Sequence, residues 1–274
     1  MDEHILDLFS QLLIMPHQKA RLNTELTDLY MNPNSLSKFF VIAKQSKEKD
    51  FRFLAAIGIR KTLENNKNWI TELDNLNILQ AAFLSIFTIE KEFEILKIII
   101  QSAKLIFPFW PEIFELINHL IQKKEDQSLQ LAMLLLAEIP EELIYQFTEI
   151  YVEMCKNLIE ISLQEQTNLL SALFLFSSIS KIASTSTIFS TSFSSFFSLF
   201  LFAFQQNLLD NDPCVYTIAD HLIESLKFVK FADSTPIMSL LLDLTQNGQI
   251  EPQNKIAIFN IINALLKSQT NPVY

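Results

Sequence analysis

The chain has 274 residues, of which 49% are apolar, and its 31 acidic and 21 basic residues give a formal net charge of −10. Only two residues are glycine, which disfavours a sheet-rich fold because tight hairpin turns and bulges need glycine. The acidic balance disfavours nucleic acid as a direct partner and favours basic protein partners, although a solvated acidic surface kept for solubility would give the same charge.

Amphipathic segments with the spacing of one helical face recur along the whole chain. The first places five apolar residues at the i, i+3, i+4, i+7 and i+8 positions: Ile5, Leu8, Phe9, Leu12 and Leu13. The same spacing is found at 113–121 and again at 258–266. All nine prolines lie at the edges of these segments or between them, as expected for residues that interrupt helices.

Joining the segments gives helix pairs of roughly 40 residues, the length that is typical of HEAT-type repeats. The predicted pairs are 2–32, 33–67, 70–107, 108–139, 140–184, 186–229 and 234–269. We therefore predict an all-α fold, an α-α superhelix of the HEAT-repeat solenoid type with about seven helix pairs. Residues 1–70 would form repeats 1–2, and 70–274 would form repeats 3–7 of the same continuous solenoid.

A local pattern accompanies the second helix of two predicted pairs. KDFRFLAA at 49–56, and more loosely DNDPCVYTIA at 210–219, begin with an acidic residue and continue through Arg or Val to small residues. The aspartates suit helix N-caps, and the alanines allow the two helices of a pair to approach closely. The pattern falls where the period predicts it, which supports HEAT-type repeats.

One segment requires a test for membrane insertion, because 182–209 contains no charged residue and is long enough to span a bilayer. Ser and Thr crowd its first half, and its phenylalanines recur at helical spacing at positions 189, 193, 196, 197, 200 and 204. This pattern favours a helix packed between neighbouring helices over a membrane span. Met1 is followed by acidic residues, so no signal peptide is expected.

Residue patterns for catalysis are missing from the sequence. The four histidines are scattered, and no glycine-rich phosphate loop or nucleophile elbow is present. We expect no enzyme activity, no catalytic residue, no metal and no cofactor. Cys155 and Cys214 are interpreted as buried reduced thiols, and Trp69 and Trp110 as packing residues at repeat junctions, with partner binding as the alternative.

Three stretches resemble the importin-β (karyopherin) family of nuclear transport receptors. ARLNTELTDLYMNP at 20–33 is similar to the family's opening pattern, and DFRFLAAIGIRKTLENNKNW at 50–69 is similar to its second repeat. WPEIFELI at 110–117 resembles its fourth repeat. The chain departs from the family at Thr24 and at Arg60-Lys61, and in these departures it resembles the subgroup that carries ribosomal proteins and histones.

The resemblance implies a function in nucleocytoplasmic protein import. Members bind Ran-GTP through the inner helices of their first repeats, carry cargo in a concave arch and contact phenylalanine-glycine nucleoporins on the outer face. It implies Arg52, Arg60 and Lys61 as Ran-binding candidates, basic cargo proteins, no direct contact with nucleic acid or membrane, and shuttling between cytoplasm and nucleus at the nuclear envelope. Members are several times longer, so a fragment or a truncated relative is expected.

Two alternatives remain open at the level of sequence. The chain could be a generic HEAT-repeat scaffold or regulatory subunit without Ran dependence. Arg52 could form a structural salt bridge to a neighbouring loop acid such as Asp50 instead of contacting a partner. The first 70 residues carry a net charge of +2 and the remainder −12, so cations on the second repeat favour an acidic partner surface there.

Overall fold

The computed structural model describes residues 2–15, 17, 19–165, 167–183, 187–210, 212–229, 231 and 233–270. These residues form sixteen α-helices and no β-strand. In chain order the helices are α1 Glu3–Ile14, α2 Lys19–Met31, α3 Ser35–Gln45, α4 Lys49–Asn65, α5 Lys67–Ile70, α6 Leu73–Phe87, α7 Phe93–Ala103, α8 Ile113–Lys123, α9 Asp126–Ala137, α10 Glu141–Gln146, α11 Thr148–Glu165, α12 Leu169–Ala183, α13 Thr187–Leu209, α14 Cys214–Ser225, α15 Thr235–Gln246 and α16 Pro252–Thr270. A short 3₁₀ turn, Phe107–Phe109, precedes α8.

The all-α helical-repeat class is confirmed, because each of the seven predicted pairs contains two long helices. The short helices α5 and α10 are additions that periodicity did not reveal. Pro252 is the first residue of α16 and Pro236 the second residue of α15, positions where the missing N–H costs no hydrogen bond. Pro16 and Pro272 lie outside the described residues.

The chain divides into two compact units. Unit 1 comprises the residues up to Leu120 together with Glu138–Leu143, and unit 2 comprises Ile121–Ala137 together with the residues from Ile144 onward. Helices on either side of residue 70 pack against each other inside unit 1, α4 against α7 and α5 against α6. The predicted division at residue 70 stays a prediction.

Within unit 1 the helices form two layers. The second helices of successive pairs, α2, α4 and α7, pack in a row, and the first helices α3 and α6 pack beside them. The closest pair is α3 and α4, where Ala55 and Ala56 are fully buried, as the small-residue pattern predicts. Gly58 has the ring of Phe39 against it, since a Cβ placed there would lie 2.7 Å from Phe39 Cδ1. The absence of a side chain at this position therefore sets how closely α3 and α4 approach.

Unit 2 repeats this arrangement. The second helices α9, α12, α14 and α16 pack in sequence, and the first helices α11 and α13 pack against each other and against α12. The same order of contacts in both units is the sign of stacked helix pairs, each of which buries its apolar face on its neighbours.

Helix α13 supplies most of the aromatic core of unit 2. Its phenylalanines at five of the predicted positions are buried: Phe193, Phe196, Phe197, Phe200 and Phe204. The Phe189 side chain and residues 184–186 lie outside the described part. Packing between neighbouring helices is therefore confirmed for this segment. Of the helices that the structure describes, none combines the length and the apolar character that crossing a bilayer demands.

The structural interpretation of the cysteines and tryptophans is partly confirmed. Trp110 and Cys155 are buried, and burial raises the pKa of the Cys155 thiol. Trp69 is half-buried. The prediction that Cys214 is buried is wrong: it is the first residue of α14, at an exposed helix end, and a hydrogen bond with the Asp212 carboxylate raises the pKa of its thiol.

Candidate partner-binding surface on helix α4

All three predicted Ran-binding residues lie on α4, whose sequence KDFRFLAAIGIRKTLEN places small and apolar residues at helical spacing. This buried face packs on α3 and α7, so α4 is held on two sides. Arg52, Arg60 and Lys61 lie outside that face, and the structure gives the first a different environment from the other two.

Arg52 is engaged inside the protein. Its Nε donates to Glu90 Oε2 at 2.8 Å, and its guanidinium also donates to the carbonyl oxygens of Ser46 at 3.4 Å and Lys47 at 3.2 Å. The Arg52 side chain is 20% exposed and that of Glu90 only 3%. A cation with this set of acceptors has little capacity left for a partner protein.

Glu90 fixes the loop that joins α6 to α7. Its Oε1 accepts hydrogen bonds from the backbone N–H groups of Lys91 and Glu92, both at 3.0 Å. A second ion pair follows, because Lys49 Nζ lies 2.6 Å from Glu92 Oε2. The hydrogen bond between these two exposed groups lowers the pKa of Glu92 and raises the pKa of Lys49. The start of α4 and the α6–α7 loop are therefore joined by two charged contacts, one buried and one at the surface.

The alternative of a structural ion pair for Arg52 is right in kind but names the wrong acid. Asp50 and Arg52 are two residues apart on one helix and point in nearly opposite directions, so they cannot meet easily. The acid that Arg52 meets is Glu90, 38 residues further along the chain. Sequence reasoning missed Glu90 because nothing in its local pattern separates a buried loop acid from the exposed acids beside it.

Arg60 and Lys61 face a different environment near the end of α4. Arg60 Nε lies 3.8 Å from Glu64 Oε1, and Lys61 Nζ lies 3.7 Å from Glu64 Oε2. Both contacts are longer than hydrogen bonds, and the Arg60 Nε is buried without a hydrogen-bond partner among the described residues. The side chains of Arg60 and Lys61 are 33% and 48% exposed. Two cations thus share one carboxylate, which leaves net positive charge on this stretch of α4.

A cleft of about 350 Å³ lies beside Arg52, within unit 1. The Arg52–Glu90 pair forms part of its wall, and Lys44, Ile89 and Lys91 are exposed residues on its border. Since the Arg52 and Glu90 charges neutralise each other, Lys44 and Lys91 are the cations that this cleft can offer to a ligand.

Metal chemistry has no obvious place in the described part of the chain, where no three His, Cys, Asp or Glu side chains come together as a metal site would require. What the α4 surface can do is bind: it offers cations on a helix held by its neighbours.

Comparisons with known proteins add no identification. No protein-family model, no curated protein and no solved structure matches this chain.

Proposed function

We propose that this chain is a protein-binding helical-repeat module of the nuclear transport receptor type, which binds Ran-GTP through its second repeat. The observation that carries the proposal is the Arg60–Lys61 pair, which lies inside the stretch at 50–69 that resembles importin-β. Both cations are accessible and neither has a short hydrogen bond to an acid. Association with basic cargo proteins and phenylalanine-glycine nucleoporins, and shuttling between cytoplasm and nucleus, belong to the same proposal.

Within this proposal the three candidate residues have unequal roles. Arg60 and Lys61 contact Ran directly, because an acidic partner group can replace or join Glu64 without breaking a buried interaction. Arg52 is a positioning residue, which holds α4 on the α6–α7 loop through Glu90. Charges at the edge of an interface mainly affect the association rate and its dependence on salt, whereas buried ones affect dissociation.

The test is a pull-down of the full chain with Ran loaded with a GTP analogue and, in parallel, with Ran loaded with GDP. We expect retention of the GTP form only, and an Arg60→Glu/Lys61→Glu double variant should weaken it by about tenfold or more, or roughly 1.4 kcal/mol. Binding should also weaken as salt rises, because exposed charge attraction is screened. Equal retention of both nucleotide forms, or of neither, would rule out Ran dependence.

The matched control is Lys156→Glu/Lys227→Glu in unit 2. Both lysines lie in surface pairs with helical neighbours, Glu160 and Glu224, so this variant undergoes the same change of charge and a similar loss of surface pairs. Its retention of Ran should equal that of the unaltered chain. Circular dichroism of both variants must match the unaltered protein for the result to concern binding.

A generic helical-repeat scaffold without Ran dependence is the second candidate. The Arg52–Glu90 pair favours it, because the most buried of the three predicted cations serves packing between repeats. In that case the chain would retain neither form of Ran, and the Arg60→Glu/Lys61→Glu variant would behave as the control does.

A further inference from the structure

A second cavity lies wholly inside unit 2, at the C-terminal end of α13. Its volume is about 490 Å³, within the range of roughly 300–1,000 Å³ that is usual for ligand pockets. Its wall comes from the end of α11, the first residue of α12, the last turns of α13 and the segment that leads into α14. Four helices therefore contribute to one concave site.

The charge of this cavity is of a single sign. Asp210 and Asp212 line it, and its described wall contains no Lys, Arg or His. Two helices, α11 and α13, end at the wall, and helix C-termini carry partial negative charge. Asp212 Oδ1 accepts the backbone N–H of Cys214 at 2.7 Å, and hydrogen bonds from this N–H and from the Cys214 thiol lower the pKa of Asp212. The carboxylate is thus ionised at neutral pH, and the site favours a cation.

The same cavity has an apolar side. Phe202 is 62% exposed although the other described phenylalanines of α13 are buried, and Leu163 and Leu169 lie in the wall with it. An exposed aromatic ring near two carboxylates suits a guanidinium group, which stacks on rings and donates to carboxylates through a planar fork. An ammonium group is a point charge and uses only part of this arrangement.

A polar atom without a partner lies in the loop that closes the wall. Thr167 Oγ1 is buried and makes no hydrogen bond with any described residue, and it stands in the chain between the wall residues Ser162 and Leu169. Buried hydroxyl groups are nearly always satisfied, so its state is consistent with a site that lacks its ligand.

We propose that this cavity binds an arginine side chain presented by a segment of a partner protein, with Asp210 and Asp212 as acceptors and Phe202 as the stacking surface. The net charge of −10 attracts such a basic segment from a distance, and the leucines of the wall accept apolar residues that flank the arginine. The inference rests on the proposed protein-binding function only in that the partner is a protein, and it does not depend on Ran.

The experiment is isothermal titration of the full chain with the peptide acetyl-Ser-Leu-Arg-Leu-Ser-amide. Replacing the arginine with citrulline, which has the same shape without the charge, should weaken binding about tenfold or more, and replacing it with lysine should weaken it less. An Asp210→Asn/Asp212→Asn variant should also lose about tenfold, and Phe202→Ala about threefold to tenfold. Asparagine can accept the Cys214 N–H as aspartate does, so the start of α14 is kept.

The control variant is Glu149→Gln/Glu153→Gln, two exposed acids of α11 away from the cavity wall, which should bind the peptide as the unaltered chain does. The proposal is overturned if the citrulline peptide binds as tightly as the arginine peptide, if the aspartate variant keeps its affinity, or if no heat is detected at millimolar peptide. Equal affinity for free acetyl-arginine-amide would overturn the assignment to a protein segment. Retention of Ran by the aspartate variant is the separate readout, since failure here leaves the α4 result unaffected.

Discussion

Two regions of this molecule solve the same problem by different physical means. In unit 1 the second and third helix pairs are joined at one edge by the Arg52–Glu90 ion pair and its hydrogen bonds. In unit 2 the corresponding contacts around α13 are made by phenylalanine rings, with Phe176 at the centre, 4.6 Å from Phe200 and 5.5 Å from Phe193 between ring centroids. Stacked helix pairs need an apolar interior, but the contacts at their edges can be ionic or aromatic.

The difference has consequences for function. A buried ion pair gains little net stability, because desolvation of both charges offsets most of their attraction, but its geometry is directional. An aromatic cluster gains stability from the buried area and tolerates small rearrangements. We infer that the α4 edge holds a fixed orientation, as a binding helix requires, and that the α13 cluster supplies stability.

The largest expected effect is in the aromatic cluster. Phe197 is fully buried, and its ring centroid lies 4.9 Å from that of Phe231 in an edge-on arrangement. Phe197→Ala should lower the free energy of unfolding by about 3–5 kcal/mol, through lost burial and the cavity left behind. Thermal unfolding followed by circular dichroism measures this. Phe259→Ala, at an exposed phenylalanine of α16, is the matched control, and an equal loss in both variants would contradict the packing described here.

Removal of the ionic contact comes next. Arg52→Ala leaves the Glu90 carboxylate buried without its cation and should lower the free energy of unfolding by about 2–4 kcal/mol. The double variant Arg52→Ala/Glu90→Ala removes both charges and should be more stable than Arg52→Ala alone. Lys49→Ala, which breaks only the exposed pair with Glu92, serves as the control and should change stability little.

If instead Arg52→Ala unfolds at the same temperature as the unaltered chain, Arg52 is not a positioning residue, and its direct contact with a partner regains support. The same result would remove the contrast between the two regions.

Sequence reasoning predicted the fold well because the fold depends on local patterns. The positions 193, 196, 197, 200 and 204 are spaced for one buried side of a helix, and all five phenylalanines are buried. Ala55 and Ala56 marked the close approach of α3 and α4 for the same reason. A period of 3.6 residues and short loops suffice to locate helix pairs.

The candidate site was predictable only in part, because its contacts join residues that are distant in the chain. Placement of Arg52 and Arg60 on one helix followed from their spacing, but the partner of Arg52 is 38 residues away, in a loop whose conformation no local pattern specifies. The cavity at the end of α13 was missed for a similar reason: Gln164 and Asp210 meet there only through the packing of α11 against α13.

The smallest expected effect concerns pH and the first helix of unit 1. Asp2 is the N-cap of α1: its Oδ1 accepts the backbone N–H of Ile5 at 3.2 Å, and its Oδ2 lies 2.8 Å from Lys38 Nζ. The hydrogen bond with Lys38, followed by that from Ile5, lowers the pKa of Asp2. A lowered pKa in the folded state means that this contribution to stability is fully present above the unfolded-state pKa of about 3.9 and is lost as the pH falls through the folded value.

Asp2→Asn isolates the charge from the cap, because asparagine caps helices as well as aspartate does. At pH 7 we expect it to lower the free energy of unfolding by about 0.5 kcal/mol, the usual size of a surface ion pair, and the deficit should vanish near pH 2, where Asp2 of the unaltered chain is protonated. Asp2→Ala also removes the cap, so it should cost about 1 kcal/mol at pH 7 and keep part of that loss in acid. Urea unfolding of both variants at the two pH values measures the difference. If the loss in Asp2→Asn were the same at pH 2 as at pH 7, it would reflect the hydrogen bond to Ile5 and not the charge of Asp2, and the ion pair with Lys38 would then contribute nothing to the stability of unit 1.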